Sequence, residues 1–181
     1  MDNSYPAHYE SEHELRDGTR ITVRPIRADD DPLMLEMFHA LSRDTIYYRF
    51  FTYLKEMPPE RLRRLTHVDY DREFALVAIF NDGAQNHIIG VSRYSRKDIE
   101  QKEAELAVVV QDTYQNRGVG TLLLRQLSVI AHDYGIDTFI GYVLTDNDKL
   151  FKMIDNAGFR CHKEYDVGCL KLVVRAEENP V

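Results

Sequence analysis

From Leu106 to Val110 the chain is an unbroken apolar run, and from Val119 the apolar positions change period, with Val119, Leu122, Leu123, Leu127, Ile130 and Tyr134 at helical spacing. A buried strand therefore runs into a helix through the segment Gln111 to Gly118. Residues 19–26 alternate polar and apolar as a first strand ending near Pro25. Asp29-Asp30-Asp31-Pro32 reads as a helix start, with acids and Pro in the first turn ahead of Leu33, Met37, Phe38 and Leu41. A second helical piece begins at Ser42 and carries Ile46, Tyr47, Phe50 and Phe51. A third opens at Pro58-Pro59-Glu60, with Leu62 and Leu65 on one face. Residues 74–80 and 88–94 are predicted strands joined across Asn81-Asp82-Gly83, a strong turn signal. After the strand at 105–110 and the helix from Gly118 come a strand at 138–143 and a helix over 146–157 that Gly158 ends. Strands at about 160–165 and 169–174 close the sheet. If Asp166-Val167-Gly168 turns a hairpin, Tyr165 faces Cys169 and Cys161 faces Val173, which leaves the two thiols unpaired.

This pattern fills most of 181 residues, 44% of them hydrophobic, with no Pro/Gly/Ser-rich linker, repeat or low-complexity tract. One globular domain over 19–176 is expected, with an N-terminal extension at 1–18 and a tail at 177–181. No apolar run approaches the ~20 residues of a membrane span, and the N-terminus lacks the regions of a secretion signal. With two cysteines in all, a cytoplasmic protein is expected, with no membrane partner. The net charge of −7 argues against nucleic acid as a partner. Arg61, Arg63 and Arg64 form a local basic cluster, either a solvated helix face or a docking patch.

The loop between strand and helix is where chemistry is expected. Gly118 and Gly120 would let backbone approach a ligand, and the first free amides of the helix would face it with the positive end of the dipole behind them. Neither Gly-x-Gly-x-x-Gly nor a P-loop is present. The spacing Gln115-x-x-Gly118-x-Gly120 instead resembles the loop of the GNAT acyltransferase superfamily, and the order of elements resembles the fold of that family over nearly the whole chain. The resemblance implies a mixed α/β (α+β) architecture with a central sheet of about six to seven strands. It implies acetyl-CoA as co-substrate, its pyrophosphate on Gln115, Asn116, Arg117, Gly118, Val119, Gly120 and Thr121. The pantetheine arm and thioester would lie along Val108, Val109 and Val110 and against Asn147. Chemistry alone also allows an ordinary tight turn at the glycines and a helix cap at Asn147.

Leu15-Arg-Asp-Gly-Thr19, Val23-Arg-Pro-Ile26, Tyr48-Arg-Phe-Phe51, Asp69-Tyr-Asp-Arg-Glu-Phe-Ala-Leu-Val77 and Ala104-Glu-Leu-Ala-Val-Val109 look like the acetyltransferase domain of bacterial protein lysine acetyltransferases. That resemblance implies a protein lysine as acceptor, such as one on an acyl-CoA synthetase. A lysine amine with pKa ~10.4 is protonated at neutral pH, so attack on a thioester needs a base. Glu105 matches the family's general-base position. Partial burial in its apolar strand is expected to raise its pKa, and Glu103, on the same face, competes with it by period. The position where many members carry a Tyr general acid is Ile154, which leaves the acid unassigned, while amides near Val108 are placed to polarise a thioester carbonyl. Tyr142 and Phe151 read as core residues.

Other chemistries find little support. The histidines are scattered, no metal is expected, and His67 with Asp69 and Asp71 is better explained as a turn. Ser92 and Ser128 lack a nucleophile-elbow context. An N-acetyltransferase is the reading, with a small-amine acetyltransferase or a non-catalytic acyl-CoA-binding module as alternatives.

Overall fold

Strand and helix periods become a single mixed sheet with helices on both faces. The computed structural model describes residues 4–166 and 169–175. Among them eight strands form one sheet: β1 Ser11–Glu14, β2 Arg20–Pro25, β3 Glu73–Asn81, β4 Asn86–Ser95, β5 Glu103–Val110, β6 Thr138–Val143, β7 Cys161–Asp166 and β8 Cys169–Arg175. Their order across the sheet is β1-β2-β3-β4-β5-β6-β8-β7. All neighbours are antiparallel except β5 and β6. The helices are α1 Asp31–Ala40, α2 Arg43–Phe50, α3 Pro59–Thr66, α4 Val119–Asp133 and α5 Asp148–Asn156. No described helix is long and apolar enough to cross a membrane.

Two differences from the sequence reading stand out. The expected six to seven strands are eight, because Ser11–Glu14 pairs with β2, Ser11 opposite Val23 and Glu14 opposite Arg20. The stretch before residue 19 thus adds an edge to the sheet. The closing hairpin is also shifted by one: Cys161 lies opposite Val174 and Tyr165 opposite Leu170. The expected pairs Tyr165 with Cys169 and Cys161 with Val173 are therefore wrong in register, because Asp166 itself pairs with Cys169; the expected turn at 166–168 lies largely outside the described residues. The pairing still sets the cysteines at opposite ends of the hairpin, and Cys161 is a free thiol.

Side-chain alternation divides the core. On one face Phe74, Leu76, Ile89 and Ala104 pack under α4 and α5 with Leu123, Leu127, Ile130 and Ile154. On the other, Ala75, Val77, Ile79, Ile88 and Val91 pack under α1, α2 and α3 with Met34, Met37, Phe38, Ile46 and Leu62. The predicted stripe of α4 is the buried one, with Leu122 and Tyr134 at its half-buried edge.

A buried ion pair fixes the junction of β2 and α1. Arg24 donates to both carboxylate oxygens of Asp30, at 2.8 and 2.6 Å, and Asp30 also accepts from the Arg27 amide at 2.8 Å. Removing one partner leaves an uncompensated buried charge, so Asp30→Asn should cost about 3 kcal/mol or more of stability. Urea unfolding reads this directly, and a loss below about 1 kcal/mol would mean the pair is solvated in practice.

Candidate active site

The groove begins where two parallel strands part. β5 and β6 pair at Glu103 with Thr138, Ala104 with Phe139 and Glu105 with Ile140, and the ladder stops there. Beyond it the strands diverge and open a cleft of about 1280 Å³ lined by both, by α2, and by the loop entering α4. The amide of Gln111 donates to Ile89, so in this antiparallel ladder the odd residues of β5 hydrogen-bond β4 and the even ones turn their backbone the other way. The amide of Val108 therefore points into the cleft with no β6 partner. An anion or a polarised carbonyl placed there meets a free donor.

At the top of the cleft Asn116 and Gly118 adopt positive φ, 61° and 94°, and turn the chain into α4. The N-terminus of α4 has no side-chain cap, and its first intrahelical bond runs from Leu122 to Gly118. The amides of Val119, Gly120 and Thr121 are thus free and aligned with the positive end of a 15-residue helix. A pyrophosphate fits such a cradle. The two glycines do different work. A Cβ on Gly118 would touch nothing, so its role is the left-handed turn, whereas a Cβ on Gly120 would lie 2.2 Å from Met153 Sδ. Gly120 lines the cleft and also has no room for a Cβ, because α5 packs on it, a second reason for glycine that the sequence pattern does not show.

Glu105 sits at the vertex of the cleft and lines it, while Glu103 lies outside the lining. Its carboxylate is on the face of β5 shared with Ala107 and Val109, toward α2. It is exposed, which contradicts the partial burial expected from its apolar neighbours: the strands part beside it and admit solvent. Tyr142, expected in the core, is 43% exposed on the opposite wall for the same reason. Phe151 packs against the core as expected, with Lys163 3.9 Å above its ring.

A family model described as acetyltransferase (GNAT) domain matches residues 20–160. This chain belongs to the GNAT acetyltransferase family. It is 34% identical over 147 residues to acetyltransferase Pat of Mycolicibacterium smegmatis, covering 80% of this chain and 43% of that protein. It is 32% identical over 121 residues to acetyltransferase PA5475 of Pseudomonas aeruginosa, covering 67% of this chain and 64% of that protein. These matches span less than two thirds of each relative's own length. Among solved structures, the GNAT domain of S. lividans PAT superposes with a TM-score of 0.87 at 32% identity, over 95% of this chain and 99% of that one.

Within this GNAT cleft the side chains named from sequence are largely engaged with one another. Gln115 donates to the Val110 carbonyl at 3.0 Å and to Thr45 at 3.3 Å, and accepts from Lys149 at 2.8 Å. It braces the loop against α2 and α5. Arg117 is held by Asp17 at 3.1 Å and lies over Tyr114. The loop amides are therefore the free donors, more than the arginine. Asn147 caps α5 by accepting from Leu150 at 3.2 Å, so its reading as a helix cap holds, and it also lines the cleft.

Sequence reasoning missed the side chains that tie the cleft together. Asp112 accepts from the amide and hydroxyl of Ser42, both at 2.8 Å, and from Thr45 at 2.8 Å, pinning the N-terminus of α2 to the loop. Tyr48 lines the cleft, and burial together with the Asp146 carboxylate pushes its phenol up. The only sequence signal was the Ser-x-x-Thr cap at Ser42 and Thr45, which says nothing about a partner 70 residues away. As for metals, the Asp69 carboxylate accepts from the amides of Asp71, Arg72 and Glu73 at 3.1, 2.8 and 2.9 Å, a turn as expected. No described cluster of His, Cys, Asp or Glu could hold a metal ion.

Proposed function

We propose that this chain transfers the acetyl group of acetyl-CoA directly to the side-chain amine of a protein lysine, with Glu105 as general base. The observation that carries it is a carboxylate at the vertex of the cleft, beside the free amide of Val108 and below the α4 amides. With the pyrophosphate on residues 116–121, the pantetheine arm has the cleft between β5 and β6 to lie in. The thioester carbonyl would then meet Val108. The amine attacks the carbonyl carbon, the C–N bond forms, the C–S bond breaks, and the amine proton passes to Glu105, directly or through water. CoA leaves as a thiolate that needs little help, its thiol pKa lying near the ~8.5 of Cys. The protein-lysine acceptor is supported by the likeness to Pat-type acetyltransferases, with an acyl-CoA synthetase as the acceptor to try first.

The test is acetyl-CoA turnover against purified acyl-CoA synthetases and a panel of free amines, read as release of CoA thiol. Turnover on a synthetase lysine, located by mass spectrometry, supports the reading. Turnover on amines alone overturns the acceptor, and binding without any turnover overturns the enzyme.

The basic cluster of α3 enters as a second prediction. Arg61 lies over the Phe50 ring at 4.6 Å and so has a packing role, contrary to a purely solvated cluster, while Arg63 and Arg64 are exposed. Reversing the exposed pair, Arg63→Glu with Arg64→Glu, should lower kcat/KM for an acidic protein acceptor about five- to twentyfold at low salt and spare a short lysine peptide. The difference should shrink as salt is raised past about 0.3 M. Equal loss on both acceptors would remove charge steering by α3.

A further inference from the structure

The wall of the cleft below α2 holds more positive charge than the fold neutralises. Arg49, on the inward side of α2, lines the cleft together with Glu105, Ala107 and Val108. It also lines a small apolar void of about 30 Å³ beneath α2, with Arg93, Phe50, Ala107 and Val109. Around it, Arg93 is committed to Glu73 at 2.9 Å and to the Leu65 carbonyl at 3.3 Å, and Arg61 lies on the Phe50 ring. Arg49 itself lies 5.0 Å from the centre of that ring and makes no hydrogen bond or ion pair with any described residue. Desolvation, with Arg93 and Arg61 adding repulsion, pulls its pKa down to about 10, and the Glu105 carboxylate opposes that fall.

A half-buried guanidinium without a counter-ion costs stability, and its planar fork matches a carboxylate. Its position excludes two other occupants. The pyrophosphate belongs to the α4 amides at the far end of the cleft, and the thioester carbonyl to the Val108 amide, which points within the plane of the sheet into the gap between β5 and β6, whereas Arg49 lies off that plane. Arg49 is on the odd-residue side with Glu105, where the acceptor amine must arrive. Glu105 and Arg49 together make a bipolar site: the carboxylate takes an amine and the guanidinium takes an anion beside it.

We propose that Arg49 is a specificity-determining residue that receives a carboxylate carried by the acceptor close to its reacting amine. In a protein acceptor that group is an Asp or Glu next to the target lysine; in a small acceptor it is the carboxylate of an amino acid. The inference rests on the reading of the Glu105 face as the acceptor side.

The test uses pairs of acceptors that differ in one carboxylate, followed by CoA thiol release. One pair is a lysine peptide with a flanking Asp and its Asn counterpart, taken at several flanking positions. The other is a free amino acid and the amine that lacks its carboxylate. In the wild type the carboxylate-bearing member of one pair should have a kcat/KM about tenfold higher or more, carried mainly by KM. Arg49→Gln should bring that ratio to about one, and Arg49→Lys should restore part of it. The pair that shows the effect identifies the source of the carboxylate. If peptides fail and amino acids are used, the protein-lysine reading falls while Arg49 is still scored on the second pair. A wild-type ratio near one in both pairs overturns the proposal, as does no transfer to any member. So does an equal fall on both members in a folded Arg49→Gln that keeps its acetyl-CoA affinity, which would make Arg49 structural.

Discussion

Glu105→Gln should lower kcat for acetyl transfer by about 10²–10³-fold and leave acetyl-CoA affinity within about twofold. The size follows from the acceptor. Near neutral pH only about one lysine amine in a thousand is already unprotonated, from a pKa ~10.4, so a positioned base supplies most of the productive flux. As pH rises toward that value the amine deprotonates itself, and the loss in the variant should shrink. The substitution breaks no hydrogen bond to a described residue, and inside the fold it removes only the field of the carboxylate on Arg49 and Arg93. Solvent exposure also gives the abstracted proton a direct way out. Wild-type turnover of the variant between about pH 6.5 and 8 would remove Glu105 as the base. Glu103 is a poor replacement, lying outside the cleft lining, so the search would move to solvent and to the phenols of Tyr48 and Tyr142.

Most of the sheet was legible in the chain because period alone carries it. The alternation in β2, the apolar runs of β3 and β5, and the stripe of α4 each mark the face that is buried. β1 was illegible for a physical reason: Ser11-Glu-His-Glu14 contains no apolar residue, and its strand form comes from pairing with Val23 and Ile21 and from Gln126 reaching Ser11 at 3.0 Å. The hairpin register was off by one because the residues enclosed by a turn are not readable from the strands that flank it, and one residue of slip exchanges the faces. The candidate site was legible as a list of residues but not as a geometry. Glu105 reads as buried from its apolar neighbours, yet the sheet splits beside it. Gly120 reads as a ligand contact and does line the cleft, but that its missing Cβ also makes room for Met153 is a packing fact with no local signal. Arg49 sits in a motif that the sequence marks as notable, but its lack of a counter-ion is a tertiary fact with no local signal. Ser42 and Asp112 show the same limit, since one carboxylate joins the loop entering α4 to the N-terminus of α2 across a separation no pattern reports.

The α4 amides make the sharpest test of where the cofactor phosphates sit, and the best probe is Thr121. It lies in the first turn of α4 and lines the cleft. A carboxylate there complements the helix dipole, so Thr121→Glu should leave stability unchanged or raise it by about 0.3–1 kcal/mol. The same carboxylate occupies the donors a pyrophosphate needs and repels its charge, so acetyl-CoA affinity should fall by about 10²-fold. A rise in thermal midpoint with a collapse in binding is a combination that damage to the fold cannot produce. Gly120→Glu would also abolish binding, but its Cβ would sit 2.2 Å from Met153 Sδ and push α5 away, so its loss has two causes. Part of the Thr121→Glu loss should be recovered at high salt, where charge repulsion is screened, while the steric loss in Gly120→Glu should not be. Calorimetry that finds unchanged acetyl-CoA affinity in folded Thr121→Glu would move the phosphates off α4, and with them the placement of the thioester beside Val108.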